Sequence, residues 1–382
     1  MKIINLSSIA NPISISVQNP SRSDYDRFIG LEHYDSGEPV ITRFQGTELL
    51  TTSAKAFKAN DILIARRNVY LKRAGIVFFD GITSGDSIIL RLKEDTQKTI
   101  GYSHEDLIRY IPFMLNSEHF WIYANKHADG MNSKRISKDT LLEYEFELPS
   151  IDEMRDISDK LWAAYRLKEA YKKLLVTTDE MVKSQFIEMY YNTHNKQTLE
   201  SVCPIMSKGI TPKYVESSSV LVINQACIHW DGQRLGNIKY HNEEIPVRKR
   251  ILESGDVLLN ATGNGTLGRC CVFICPSDNN TYINDGHVIA LSTDRAVILP
   301  EVLNTYLSLN DTQAEIYRQY VTGSTNQVDI VFSDIKKMKV PVPSMDEQIL
   351  FVEVLKQADK SKFELKQCIE HIDKVIKSLI NG

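Results

Sequence analysis

One glycine cluster in this chain could cradle a phosphate: Gly263-Asn264-Gly265-Thr266-Leu267-Gly268, which spells a dinucleotide fingerprint behind the strand-like Val257-Leu258-Leu259. A pyrophosphate needs backbone N–H groups at the mouth of a helix. Here Arg269 leads instead into the alternating Cys270 to Ile274 and then Pro276, so the segment predicts a Gly-rich hairpin loop. Cys270-Cys271-x3-Cys275 lacks the second Cys-x2-Cys that a zinc site calls for, and its register with Val272, Phe273 and Ile274 is that of strand thiols. All six cysteines (203, 227, 270, 271, 275 and 368) fall in the second half, a poor layout for a disulfide framework in a repeated chain, and reduced thiols are expected. The sequence has no Gly-x-Ser-x-Gly elbow, His-Glu-x-x-His or Walker A, and no Asn-Pro-Pro-Tyr to hold a target amine; its nine histidines are scattered. No catalytic residue and no metal ligand is assigned. The residues argue for a binding protein.

What such a protein would bind is suggested by where its charge lies. The formal net charge is −4, which by itself argues against nucleic acid. Yet Arg66-Arg67 and Lys72-Arg73 form a basic cluster with no acid between them, and Lys126, Lys134, Arg135 and Lys138 form a second around Gly130. Lys208, Lys213 and Arg248-Lys249-Arg250 repeat the theme further on. The acids gather at helix starts, as at Asp152, Glu153, Asp156 and Asp159, where the helix dipole favours them.

The elements that must position these groups occur twice. Leu148-Pro149-Ser150-Ile151-Asp152-Glu153-Met154 returns 194 residues later as Val342-Pro343-Ser344-Met345-Asp346-Glu347-Gln348. Both Ser-x-x-Glu sequences read as capping boxes that open a helix. Upstream landmarks recur at offsets of 193 to 195: Asp61-Ile62-Leu63-Ile64 with Asp256-Val257-Leu258-Leu259, Gly75 with Gly268, and Gly130 with Gly323. Ile88-Ile89-Leu90 against Val288-Ile289-Ala290 drifts to 200, as a loop insertion in the second copy would cause. A period this long makes each repeat a domain plus a helix.

Each copy begins β-rich. Strands are expected at Asp61 to Ala65, Ala74 to Phe79 and Ser87 to Leu92, then at Val220 to Ile223, Val257 to Leu259, Cys271 to Ile274 and Val288 to Leu291, with helices between Glu105 and Ala124 and between Pro300 and Tyr320. From Asp152 to about Tyr191 no Gly or Pro intervenes, and Ile157, Leu161, Ala164, Leu167, Tyr171, Leu174, Met181 and Met189 suggest an apolar seam. Such a helix is about 57 Å long. A second runs from Asp346 towards Ile380 with Val352, Leu355, Ala358, Leu365, Cys368, Ile372, Val375 and Leu379 on a comparable stripe. Two seams are most simply satisfied by packing together, antiparallel because the copies then relate by a two-fold. The fold class is therefore α/β (α+β): β-rich domains at 1–150 and 195–343, long helices at 151–194 and 344–382, and an antiparallel coiled coil between the helices.

With these residues in view, the whole chain resembles the DNA-specificity (S) subunit of Type I restriction-modification systems. The resemblance rests on Gly209-Ile210-Thr211-Pro212, Gly255-Asp256-Val257-Leu258, Gly263 to Gly268, Gly323-Ser324-Thr325-Asn326-Gln327 and, most specifically, the helix start Val340 to Gln348. The first copy departs from it: it lacks Gly-x-Thr-Pro, and Met154 stands where Gln is expected. The resemblance implies two target-recognition domains, each reading half of an asymmetric bipartite DNA site, with the helix pair fixing the spacer. It also implies partners: double-stranded DNA, two modification (methyltransferase) subunits carrying S-adenosylmethionine, and restriction subunits that translocate DNA with ATP. This chain would hold no cofactor and perform no catalysis.

For that role Lys and Arg would hold phosphates, while polar loop side chains read base edges. The candidates are Arg66, Arg67, Lys72, Arg73, Lys134 and Arg135 in the first copy, and Lys208, Thr211, Lys213, Asn264, Arg269, Asn326 and Gln327 in the second. Two alternatives stand beside this reading. One is a protein-interaction scaffold that binds no DNA, favoured by a pI near 6.2; the other is a nucleotide-dependent enzyme using the Gly263 loop. No stretch approaches the ~18 apolar residues of a membrane span, and a cytoplasmic location is the default.

Overall fold

The structure, a computed structural model, describes residues 2–131, 133–191, 193–324 and 327–381, with the backbone alone at 324 and 327. The chain divides into two compact units, Met1–Lys172 with Leu365–Gly382, and Lys173–Glu364. In the first, an antiparallel inner sheet runs in the order Ala10–Ile13, Ser87–Leu92, Ile62–Ala65, Ala74–Ile76. A second sheet is ordered Ile15–Val17, Ala54–Phe57, Gly81–Thr83, Phe28–Ile29, its last pair parallel. Lys2–Asn5 pairs with Glu145–Leu148 just before the first long helix. The helices His104–Met114 and Glu118–Lys126 bury Leu107, Ile111, Phe113, Phe120 and Trp121 in the same core as Ile62, Ile64 and Leu90.

The second unit repeats the inner sheet strand for strand: Ile205–Lys208, Val288–Ser292, Val257–Asn260, Cys270–Val272, all antiparallel. Lys196–Thr198 and Lys339–Pro341 repeat the closing ribbon, and Pro300–Ser308 and Asn310–Gln319 the helix pair. The second sheet is not repeated. Its parallel pair survives as Val220–Ile223 with Thr281–Asn284, but the remaining strands, Lys239–His241 and Tyr214–Val215, extend it beyond Val220–Ile223. In the first unit the extension lies beyond the other member, Gly81–Thr83. Cys270 and Cys271 are buried strand residues, and burial pushes the Cys271 thiol up to about 12.

The long helices are Ile151–Phe186 (α1), continued by a π-helical turn Ile187–Tyr191, and Met345–Asn381 (α2). Both capping boxes form: the amides of Ser150 and Ser344 donate to the Glu153 and Glu347 carboxylates (3.0 and 2.9 Å), and the glutamate amides donate back to the serine hydroxyls (3.4 and 3.5 Å). The two helix starts then differ for a physical reason. Gln348, fully buried, donates to the carbonyls of Pro343 and Val297 and accepts from the Leu299 amide. In the first copy the equivalent Pro149 carbonyl accepts from the Tyr102 hydroxyl (2.8 Å), and Met154 is free to be a core residue, fully buried beside Leu161 and Tyr165.

The seams differ from the apolar stripes expected from sequence. Buried residues on α1 fall at Met154, Ser158, Leu161, Tyr165, Lys168, Val182 and Phe186, a 4-3 alternation in which Leu167, Leu174 and Met181 point to solvent. On α2, Leu355, Ala358, Ile372 and Leu379 lie on the seam as expected, but Val375 and Cys368 are exposed and Ile376 is buried. Polar residues inside the seam caused the misreading, because counting only apolar letters selects their neighbours one position round. Lys168 ties Glu38 (2.7 Å) to Asp373 (2.5 Å) within the first unit. Lys362 pairs with Asp179 (2.9 Å) within the second, where the Phe186 and Phe351 rings also meet. Ascending α1 from 179 to 186 thus means descending α2 from 362 to 351, the antiparallel pairing expected.

Candidate nucleic-acid interface

In both units the hairpin that joins the last two strands of the inner sheet carries part of the candidate set, and its loop explains their types. In the first unit, residues 66–73 join Ile62–Ala65 to Ala74–Ile76, with Asn68 and Lys72 at φ of 54° and 49°. In the second, residues 261–269 join Val257–Asn260 to Cys270–Val272, with Gly263, Gly265 and Gly268 at φ of 101°, 76° and 84°. A return this tight needs left-handed residues, which Gly and Asn supply at least cost. The Gly263 to Gly268 segment is therefore a hairpin loop followed by a strand, as its context predicted.

Arg73 and Arg269, at equivalent ends of the two loops, turn back into them. Arg73 donates to the carbonyls of Arg67 (3.0 Å) and Leu31 (2.9 Å), and Arg269 donates to that of Gly265 (3.0 Å). Burial lowers the affinity of the Arg73 guanidinium for its proton. These two arginines brace the loops. Lys72, Lys134 and Asn264 are exposed, as are Thr211 and Lys213. Gly209 of Gly-Ile-Thr-Pro is required by close approach, since a Cβ there would lie 2.0 Å from the Asn284 carbonyl oxygen. Asn326 lies outside the described residues, and so does the Gln327 side chain.

Arg66, Arg67 and Arg135 come together. Arg67 Nε donates to Ser133 Oγ (2.9 Å), while Arg67 Nη1 and Arg135 Nη2 flank the two oxygens of Asp86 at 3.8 and 3.6 Å. Lys55 donates to the carbonyls of Gly85 and Ser87, and its charge lies within reach of Arg66, Asp86 and Lys138. Burial, aided by Arg66, pulls the Lys55 ammonium pKa below its ordinary value.

In the second unit Lys208 pairs with Asp329 (2.8 and 3.0 Å). Lys249, from the Arg248-Lys249-Arg250 cluster, donates to the carbonyls of Lys208 and Gly209, and beside it stand residues the sequence did not single out: Gln225 donates to Thr262 Oγ1 (2.9 Å), which lies 2.9 Å from His287 Nδ1. Only the offset of each to its partner in the first copy could have pointed to them. Thr262, for instance, stands 195 residues after Arg67.

The inner sheets, loops and capped helices define a duplicated α/β protein with a polar loop cluster at one equivalent place in each copy. Residues 195–373 match the family model of the Type I restriction modification DNA specificity domain. No curated protein is matched in sequence. Among solved structures, a chain of the type I R-M system, from work on its complex assembly and conformational transition, aligns at TM-score 0.59 and 15% identity over 99% of this chain and 96% of its own. The S subunit of the Type I system from M. genitalium aligns at 0.51 and 12% over 100% and 96%. The fold of the whole chain is similar to that of these two structures.

Proposed function

We propose that this chain is a sequence-specific DNA-recognition subunit that reads a bipartite, asymmetric target and directs methyltransferase subunits to it. The observation that carries the reading is the specificity-domain match over residues 195–373 combined with a repeat of the same inner sheet, hairpin loop and capped helix in the first half. Two copies of one scaffold with different loop side chains suit two different half-sites. The exposed Arg67, Lys134 and Arg135, and Lys213 in the second unit, are suited to phosphate and base contacts. Methyl transfer with S-adenosylmethionine, and ATP-driven translocation with restriction, would belong to partner subunits. The long helices, 36 and 37 residues, are read as the spacer element, so that the length of α1 sets the number of unspecified base pairs between half-sites.

Mapping methylated adenines in cells with and without the chain tests this reading. Loss of methylation at one bipartite motif is expected on deletion. An unchanged methylome, together with no duplex binding by the full chain and its co-encoded subunits, would overturn it in favour of a protein scaffold.

A further inference from the structure

We infer that Arg67 and Arg135 form a guanine-reading pair held by Asp86, and that the second unit uses the same three backbone positions to read different chemistry. The inference rests on the DNA-recognition reading above and names the groups that perform it. The common frame is fixed by backbone contacts. Ile136 donates to the Arg66 carbonyl (3.0 Å) as Ile330 does to that of Ala261 (2.8 Å), and Arg66 donates to the Asp86 carbonyl (2.9 Å) as Ala261 does to that of His287 (2.8 Å). Arg67 bridges Arg135 as Thr262 bridges Asp329. Arg67, Arg135 and Asp86 therefore correspond to Thr262, Asp329 and His287. Three segments meet at the same point in both units, yet every side chain at that point differs. A cluster kept for folding alone would be expected to keep its chemistry along with its frame.

The contents of the first cluster suit one base. A guanidinium fork matches the O6 and N7 acceptors of guanine in the major groove, the commonest specific contact to DNA. Arg67 and Arg135 are roughly half exposed, and their separations of 3.8 and 3.6 Å from Asp86 are longer than hydrogen bonds, so a base edge can replace the carboxylate at little cost. Asp86 meanwhile repels phosphate, which disfavours non-specific docking of the same forks on the DNA backbone. Its turn is rigid, because Lys55 clamps the carbonyls on either side of it. In the second unit the Asp329 carboxylate, held by Lys208, and the Thr262 hydroxyl, held by Gln225, keep further lone pairs that can accept from a base amine, a different pattern for a different half-site.

The test is selection from a random duplex library by the full chain with its co-encoded subunits. The wild type should enrich a bipartite motif with guanine in one half. Arg67→Lys and Arg135→Lys keep the charge but lose the fork. Each should cut guanine enrichment at its position about tenfold or more while leaving the other half-site and the salt dependence of binding unchanged. Asp86→Asn should strengthen binding to unrelated duplex. Melting curves matching the wild type establish that each variant is folded; if either Lys variant melts early, Arg→Gln at the same position is read instead. An unchanged motif in both arginine variants, or equal loss in both half-sites, overturns the guanine pair. A wild type that enriches no motif overturns the recognition reading itself.

Discussion

The starts of the two long helices show how one buried residue can change type without loss of the motif around it. Gln348 satisfies three backbone groups, whereas in the first copy the Tyr102 hydroxyl takes the proline carbonyl and Met154 packs as an apolar core residue. Gln348→Met should cost about 3 kcal/mol in urea unfolding, because the Leu299 amide and the Val297 and Pro343 carbonyls are left buried and unpaired. Met154→Gln should also destabilise, by roughly 2 kcal/mol, since it buries an amide whose proline carbonyl already has a donor. Adding Tyr102→Phe to Met154→Gln should cost less than the two single changes together, because the new amide then has an acceptor. Strict additivity would show that the glutamine amide and the tyrosine hydroxyl do not substitute for one another in this way. From sequence the substitution of Met for Gln was visible, but the compensating tyrosine, 52 residues upstream, was not.

At the scale of elements, three of the four strands of each inner sheet were legible because their apolar, β-branched runs are bounded by turns, whereas Ala10–Ile13 and Ile205–Lys208 were not foreseen; the capping boxes were legible because the reciprocal serine–glutamate pair is local. The seam of α1 was only partly legible. Ser158 and Lys168 occupy seam positions, so a count of apolar letters moved the stripe one residue round to Leu167, Leu174 and Met181. Of the second sheet only Val220–Ile223 was legible, for another reason: its strand order depends on long-range pairing, and its two- to four-residue strands carry little pattern. Lys168, buried against Glu38 and Asp373, fixes one register of α1 against its neighbours, and Lys168→Met should cost ~3 kcal/mol by leaving two carboxylates undercompensated.

Glu38 makes the same site sensitive to acid. Burial works against its ionisation, but Lys168 and Lys172 outweigh it and hold the carboxyl below its ordinary value of 4.5. The unfolded state then binds the proton more tightly, so this contribution to stability is fully present above the ordinary value and is lost as pH falls through the depressed one. Glu38→Gln should flatten the acid limb of the stability profile below about pH 5. An acid limb identical to the wild type's would place the acid-sensitive group elsewhere.

For the molecule as a whole, a net charge of −4 makes affinity for DNA a matter of local patches. Binding should weaken steeply with salt even though the protein is acidic, because phosphate contacts release counterions whatever the total charge. A titration across salt concentrations with a slope near zero would contradict phosphate-led binding. Purified chain with S-adenosylmethionine and DNA should transfer no methyl group; transfer that persists after contaminating subunits are removed would sink the adaptor role. Exchanging residues 1–150 for those of a specificity subunit with a different target should alter one half of the methylated motif and leave the other intact, which methylome mapping of the chimaera reads directly.

The reordered second sheet bears on how such a chain can change over generations. Inner sheet, closing ribbon and capped helix kept their order after the duplication, whereas the strands added to the parallel pair Phe28–Ile29 with Gly81–Thr83, and to its counterpart Val220–Ile223 with Thr281–Asn284, moved to opposite sides. Inheritance is therefore strict in one layer and permissive in the other. The offset between the copies is 195 at Asp256 and 200 at Val288, and the connection from Cys270–Val272 to Thr281–Asn284, which leads into the permissive layer, is where it can slip. A lineage under pressure to acquire a new target can rewrite that layer without first repairing its core.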